Sequence, residues 1–468
     1  MEESKKLEKE KLNGWDQLKE EKEAAFAFSE GYKTFLNKSK TERQSVETIL
    51  AEAKEKGYQP LSTYVERGSV QTGDKIYAAF KNKQVILFEV GKEPIEKGML
   101  FIGSHLDAPR LDLKQAPLYE DGKLSFFKTH YYGGIKKYHW VTTPLSIIGT
   151  IVKENGEKIE VSIGEDEEDP VFSITDLLPH LSKDMMAKKV GEAIEGEMLN
   201  ILVGSIPHED KEAKERFKKN ILTLLNEKYG IVEEDFYSAE LEMVPAGKAR
   251  DVGLDRSLIG AYGQDDRVCA YTSMRAVLDA KEPSKSIAGV FVDKEEIGSV
   301  GDTSMSSKFF ENTIYEILHL TDADNIELAF RRGMQNSKFL SADVNAASDP
   351  NYPSTHDKYN AAYLGEGLVL TKYTGSRGKS GSNDAHAEFM AEIRSVFNRN
   401  KIVWQSGELG KVDMGGGGTI AFIPATFGMD VVDCGVGLLS MHAPFEIASK
   451  SDVYMLYKGY KAFFEDLK

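Results

Sequence analysis

Residues 287–301 read IAGVFVDKEEIGSVG. The first six are continuously apolar, the pattern of a strand buried on both faces. The run empties into Asp293, Lys294, Glu295 and Glu296 and then into glycine. In open α/β sheets, ligands bind beyond the carboxyl ends of the strands. Two adjacent carboxylates there suit two tasks: one binds a metal while its neighbour reaches a water on that metal. A solvated acidic loop fits the same residues, so the flanking sequence has to discriminate.

Upstream, residues 76–80, 85–90 and 99–103 predict successive strands. The last runs into Gly103-Ser104-His105-Leu106-Asp107-Ala108-Pro109. His105 is of a type that commonly ligates transition metals. Asp107, two residues on, is placed to accept the other ring N–H and fix the tautomer. Downstream of Gly260, Asp265 and Asp266 precede a helical pattern, and that helix precedes the 287–292 strand. This αβ spacing puts both aspartates and the glutamate pair at one end of the sheet. Helix capping is the competing role for the aspartates. Phe339 to Asp343 is another apolar run ending in a carboxylate. Residues 431–436 predict a strand leading to Met441-His442-Ala443-Pro444, and a final helix starts near Ser451 with a core-facing apolar stripe.

Between about Leu113 and Val244 the character changes. Short β-like runs at 145–152 and 158–163 precede helical, charged stretches such as 211–229, with no dense polar constellation. This predicts an inserted domain. Residues 1–57 predict helix, with the early Lys/Glu run on a solvated face. Residues 415–418 are four glycines without the Lys-Ser/Thr of a phosphate loop, which points to backbone approaching a substrate. The loop 376–383 is basic, and Arg377 and Lys379 are candidates to meet an acidic substrate side chain. His386 is expected at solvent or at a helix start.

The totals narrow the classes. The chain has 468 residues, enough for two or three domains or one large domain with an insertion. A hydrophobic content of 41% with 23 Phe and 20 Tyr argues for sizeable cores. A net charge of −16 argues against nucleic-acid and anionic-membrane partners. No apolar run approaches the roughly 20 residues needed to cross a bilayer. Two cysteines, Cys269 and Cys434, make no disulfide framework, so a cytoplasmic location is expected.

In order along the chain, HLDAP (105–109), GQDD (263–266), DKEEIGS (293–299), SADVNAA (341–347) and MHAPFEIA (441–448), together with YYGGIKKYHWVTTPLSIIG (131–149), resemble the aspartyl aminopeptidase family. These are dinuclear zinc exopeptidases that include the yeast vacuolar aminopeptidase, and the likeness spans nearly the whole chain. The resemblance implies an α/β, zinc-exopeptidase-like globule with a mixed central sheet flanked by helices. A catalytic domain of residues 1–112 and 246–468 would be split by an inserted β-rich dimerisation domain, 113–245. It implies two divalent ions, zinc in the first place, with cobalt or manganese also suited to these ligands. His105 and Asp343 would hold one ion and Glu296 and His442 the other. Asp265 would bridge, where the family often has Asp-Asn and this chain has Asp265-Asp266. Glu295 would be the general base and Asp107 the partner of His105. His180, in a Pro-His-Leu context, would reach a neighbouring subunit's site within a dodecamer built from dimers. The implied activity is removal of N-terminal residues, acidic or neutral, from peptides with a free N-terminus. A dinuclear amidohydrolase of acylated amino acids and a non-catalytic scaffold of the same architecture are the competing readings.

Overall fold

The computed structural model describes residues 7 and 9–467. A nine-stranded mixed sheet forms its centre, in the order Gln59–Pro60, Lys75–Phe80, Gln84–Glu89, Ile287–Val292, Leu100–His105, Lys338–Ser341, Asp430–Gly435, Leu368–Thr371 and Trp404–Ser406. Four adjacent central strands, Ile287–Val292 through Asp430–Gly435, are mutually parallel. Their carboxyl ends therefore share one edge.

The continuous apolar run of residues 287–292 follows from burial on both sides. Ile287 and Phe291 join one hydrophobic cluster, while Ala288, Val290 and Val292 join another. Helices Gln264–Asp279 and Lys450–Asp466 pack on the first face, and Lys308–His319 and Ile326–Gln335 cover the second. The stripe from Val453 to Leu467 is in the first cluster, and several of its members are fully buried.

A second sheet has six strands, all paired antiparallel: Lys158–Ile163, Leu145–Val152, Ala239–Pro245, Arg110–Asp121, Leu124–Tyr132 and Ile201–Gly204. It has its own hydrophobic cluster, centred on Trp140, Ile147, Ile201 and Met243. Because Arg110–Asp121 starts five residues after His105, this sheet rises from the carboxyl edge of the first. Buried charges tie the two together. Arg110 Nη1 lies 3.4 Å from Glu42 Oε2, its Nε lies 3.3 Å from Glu242 Oε2, and Lys83 Nζ binds Glu42 Oε1 at 2.7 Å. A small third sheet joins Arg250–Val252, Leu258–Ala261 and Glu446–Ser449.

Some sequence expectations shift. The N-terminal region is not continuously helical: residues 9–13 are irregular, and helices run Gly14–Leu18, Lys22–Lys38 and Glu42–Glu55. Asn13 and Thr41 start two of them by accepting backbone N–H groups. Part of the Lys/Glu run, residues 1–6 and 8, lies outside the described residues. The charged stretch from 211 becomes helical only at Arg216–Tyr229. Among the described residues no helix is long and apolar enough to cross a membrane.

Candidate metal centre

The central strand exits through Asp293 and Lys294, the latter in the left-handed region at φ 68°, into one 3₁₀ turn, Glu295–Ile297. That turn aims both glutamates back at the sheet edge, where His105 ends its strand. His105 Nδ1 donates to the Asp107 backbone carbonyl at 3.0 Å. A proton is thereby held on Nδ1, and Nε2 faces the edge beside Asp265. His442 is arranged alike: Nδ1 donates to the Gly134 carbonyl at 2.8 Å, leaving Nε2 inward.

Asp265 sits between the two rings. Its Oδ1 lies 3.2 Å from His105 Nε2 and its Oδ2 3.2 Å from His442 Nε2. Glu296 Oε1 is 3.5 Å from His442 Nε2, and Glu295 Oε2 is 3.8 Å from His105 Nε2. Yet His105 Nε2 and Glu296 Oε1 make no hydrogen bond, and both Asp266 carboxylate oxygens are buried without a partner. These atoms point at common centres rather than at one another. One atom each from His105, Asp265 and Glu296 falls within 4.8 Å of the others, and the same holds for His105, Asp266 and Asp343. Asp266 thus stands beside Asp343. Neither aspartate caps its helix, and both have non-helical backbone angles.

The electrostatics call for cations. Burial pushes Glu295 up to about 7, with Asp107 and Asp265 adding to it against the pull of His105. Burial also raises Glu296, Asp266 and Asp343 well above the carboxylate range. Desolvation opposes charge on His442, but its contact with Asp265 prevails and raises it to about 10. Buried acids and imidazoles in such numbers, with unpaired donor atoms converging, fit divalent metal ions.

Asp107 does more than hold a histidine. Its Oδ1 accepts the Glu295 N–H and its Oδ2 the Glu296 N–H, both at 3.1 Å. Oδ2 also accepts the Tyr132 hydroxyl at 2.8 Å. Tyr132 comes from the second sheet, and the Arg110 guanidinium lies 3.9 Å over its ring. Tyr132→Phe keeps that stack and removes one donor to a buried carboxylate, a loss of about 1.5–3 kcal/mol. Its kcat is expected to fall about tenfold at unchanged metal content, read by steady-state kinetics beside metal analysis. Glu446 performs a matching task. Oε2 accepts the Asp265 N–H at 3.1 Å, and Oε1 accepts the His442 N–H at 2.7 Å. Neither residue was singled out in the sequence, although Tyr132 lies inside YYGGIKKYHWVTTPLSIIG and Glu446 inside MHAPFEIA.

Asp265, Glu295, Glu296, Asp343 and His442 line one cleft, and Gly416 to Gly418 form part of its opposite wall. Arg377 and Lys379 do not line it. They border a neighbouring depression, where Lys379 Nζ pairs with Asp384 at 2.8 Å and lies 3.8 Å from the Tyr373 ring centre. His180 is exposed and does not line this cleft; it lies among the half-exposed or more exposed Leu177, Leu178 and Leu181. His386 is exposed and precedes helix Ala387–Arg399 without capping it through its side chain.

A mixed sheet carrying imidazoles and carboxylates on its carboxyl edge fits a metal-dependent enzyme. The family model described as Aminopeptidase I zinc metalloprotease (M18) matches residues 35–464. A probable M18 family aminopeptidase 1 of Clostridium acetobutylicum is 54% identical over 463 residues, 98% of both chains. One from Thermotoga maritima is 48% identical over 461 residues, 98% of this chain and 100% of the other. The solved M18 aminopeptidase of T. maritima superposes with a TM-score of 0.95 at 47% identity, over 98% of this chain and 100% of that one. The S. cerevisiae mApe1 dodecamer shares the fold, with a TM-score of 0.75 at 21% identity over 93% of this chain and 96% of that one. The chain belongs to the M18 family and is a metal-dependent aminopeptidase, a hydrolase acting on peptide bonds.

Proposed function

We propose that the chain removes N-terminal residues from peptides with two divalent ions, zinc by preference, at the His105–His442 edge. The reading rests above all on the unpaired atoms of His105, Asp266 and Glu296 converging around Asp265. His105 and Asp343 hold one ion, Glu296 and His442 the other, and Asp265 lies between. When bound, such a pair supplies Lewis-acid polarisation of the scissile carbonyl, activation of a water, and positive charge that anchors the free α-amine. Glu295 Oε2 takes the proton of the attacking water and delivers it to the leaving nitrogen. Burial raises Glu295 above the ordinary carboxylate range, which favours its taking up a proton. Asp107 keeps the Glu295–Glu296 turn in place.

The test compares peptides bearing a free amine with their N-acetylated counterparts on zinc-loaded enzyme. Cleavage of the free-amine series alone is expected. Preferential cleavage of the acylated series identifies an amidohydrolase, and absence of bound metal with no turnover identifies a scaffold.

The same reading divides the chain into a catalytic domain, 1–112 and 246–468, and an inserted domain, 113–245, that packs on a second copy in a cytoplasmic homo-oligomer, a dodecamer built from dimers. The exposed leucines around His180 favour such a contact. His180 then donates to the developing oxyanion in the partner's site, so His180→Ala is expected to lower kcat by about 10²–10³. Mixing His180→Ala with Glu295→Gln under subunit exchange should restore a fraction of activity, because some sites then keep both groups. No restoration, or a fully active monomer, refutes the shared site.

A further inference from the structure

The strand Leu124–Tyr132 of the second sheet ends at the metal centre, and the two glycines after it lie against that centre as bare backbone. Tyr132 is fixed first. It pairs in register with Arg110, whose guanidinium lies 3.9 Å over its ring, and its hydroxyl donates to Asp107 Oδ2 at 2.8 Å. Gly133 follows in the left-handed region at φ 72°. A Cβ on Gly133 would lie 3.2 Å from Glu296 Oε2, 3.3 Å from Glu296 Cβ and 3.4 Å from Pro109 Cα. The Gly134 carbonyl accepts from His442 Nδ1 at 2.8 Å, and a Cβ on Gly134 would lie 3.3 Å from the same nitrogen.

Backbone needs glycine where it approaches another group this closely. In a packed interior one added methyl group displaces its neighbours. Here the neighbours are selective. Glu296 and His442 are the two side chains assigned to one ion. No atom of His105 or Asp343, assigned to the other, is among the nearest neighbours of either glycine.

We infer that Gly133 and Gly134 are positioning residues for the Glu296–His442 ion, a strap from the second sheet that sets the affinity of that ion and leaves the His105–Asp343 ion as it is. This deepens the two-ion reading, on which it rests, by naming the segment that governs one of the two positions. The second sheet is then part of the metal centre and not only a platform for assembly.

The experiment titrates zinc into metal-stripped, full-length protein by calorimetry. Wild type is expected to take two ions per chain. Gly133→Ala should weaken one of them by about 10–100-fold, the usual cost of disturbing the support of a metal ligand, and keep the other at wild-type affinity. Gly134→Ala should act on the same ion without backbone strain, since Gly134 lies outside the left-handed region. In both variants kcat should climb over zinc concentrations that already saturate the wild type. Gly156→Ala is the control. Gly156 lies between strands Leu145–Val152 and Lys158–Ile163 of the same sheet, at φ 83°, and its Cβ would meet nothing within 4 Å. It brings the same strain into the second sheet without touching a ligand, and it should bind both ions as wild type does. If Gly133→Ala fails to fold, Gly134→Ala decides. Both ions held at wild-type affinity in the folded variants at 133 and 134, equal weakening of both ions, or a like loss in Gly156→Ala overturns the strap. In each of those cases the two-ion reading stands, because wild type still binds two. A wild type that binds fewer than two ions overturns that reading and the strap with it.

Discussion

Glu295→Gln is expected to lower kcat by about 10²–10⁴, the span of general acid–base contributions, while metal content stays at the wild-type level. The change is isosteric, and the Glu295 backbone N–H still donates to Asp107 Oδ1. The turn that carries Glu296 should therefore hold. Glu295 Oε2 is 3.8 Å from His105 Nε2, the longest of the carboxylate–imidazole approaches at this edge. A carboxylate set back in this way suits proton transfer rather than coordination. A glutamine amide cannot take a proton from water, so the loss should fall in kcat with KM little changed. Steady-state kinetics with metal analysis on the same sample make the check. Substantial turnover with full metal removes Glu295 from the role of base, and loss of metal makes it a ligand.

The central sheet and the edge it presents were legible because their physics is local. A strand buried on both faces must be apolar at every position, and residues 287–292 are. A polar group at the next positions has left the core, so His105, Glu295, Glu296 and Asp343 mark strand ends by contrast alone. The support of the edge was not legible, because it runs through space. Asp107 receives Tyr132 from another sheet, and Glu446 receives the N–H of Asp265 across 181 positions of chain. Arg377 and Lys379 border the depression beside the cleft. Charge made them prominent, and Lys379 pairs with Asp384 five residues away, an exposed contact worth little. Asp265 and Asp266 illustrate an ambiguity of type: aspartate before a helix is first a cap, and only the non-helical backbone at both positions separates the roles.

Asp265→Ala should be the most damaging single change. Its two oxygens lie 3.2 Å from the two inward imidazole nitrogens, so one substitution removes a donor from both proposed ion positions. Loss of supporting contacts alone costs metal sites about 10–100-fold in affinity, and loss of a shared ligand should cost more than about 100-fold. Activity should fall below detection at zinc concentrations that saturate the wild type. Fold collapse is not the expected reason. The Asp265 N–H that binds Glu446 survives, and the alanine relieves repulsion among Glu295, Glu296, Asp266 and Asp343. It also removes the carboxylate that pairs with His105 and His442, so the zinc response of each protein is read against its own metal-free melt. Zinc at 100 times its dissociation constant should stabilise the wild type by about 2.7 kcal/mol, and at the same concentration it should leave the variant's melting temperature nearly unmoved. Asp266→Ala provides the contrast. Its carboxylate neighbours His105 and Asp343 but not His442, so it should weaken one ion and keep most of the thermal response to zinc. Thermal melts with and without zinc, beside metal counts per chain, separate the two variants. The reverse order, with Asp266→Ala losing both ions and Asp265→Ala retaining them, would make Asp266 the bridging carboxylate.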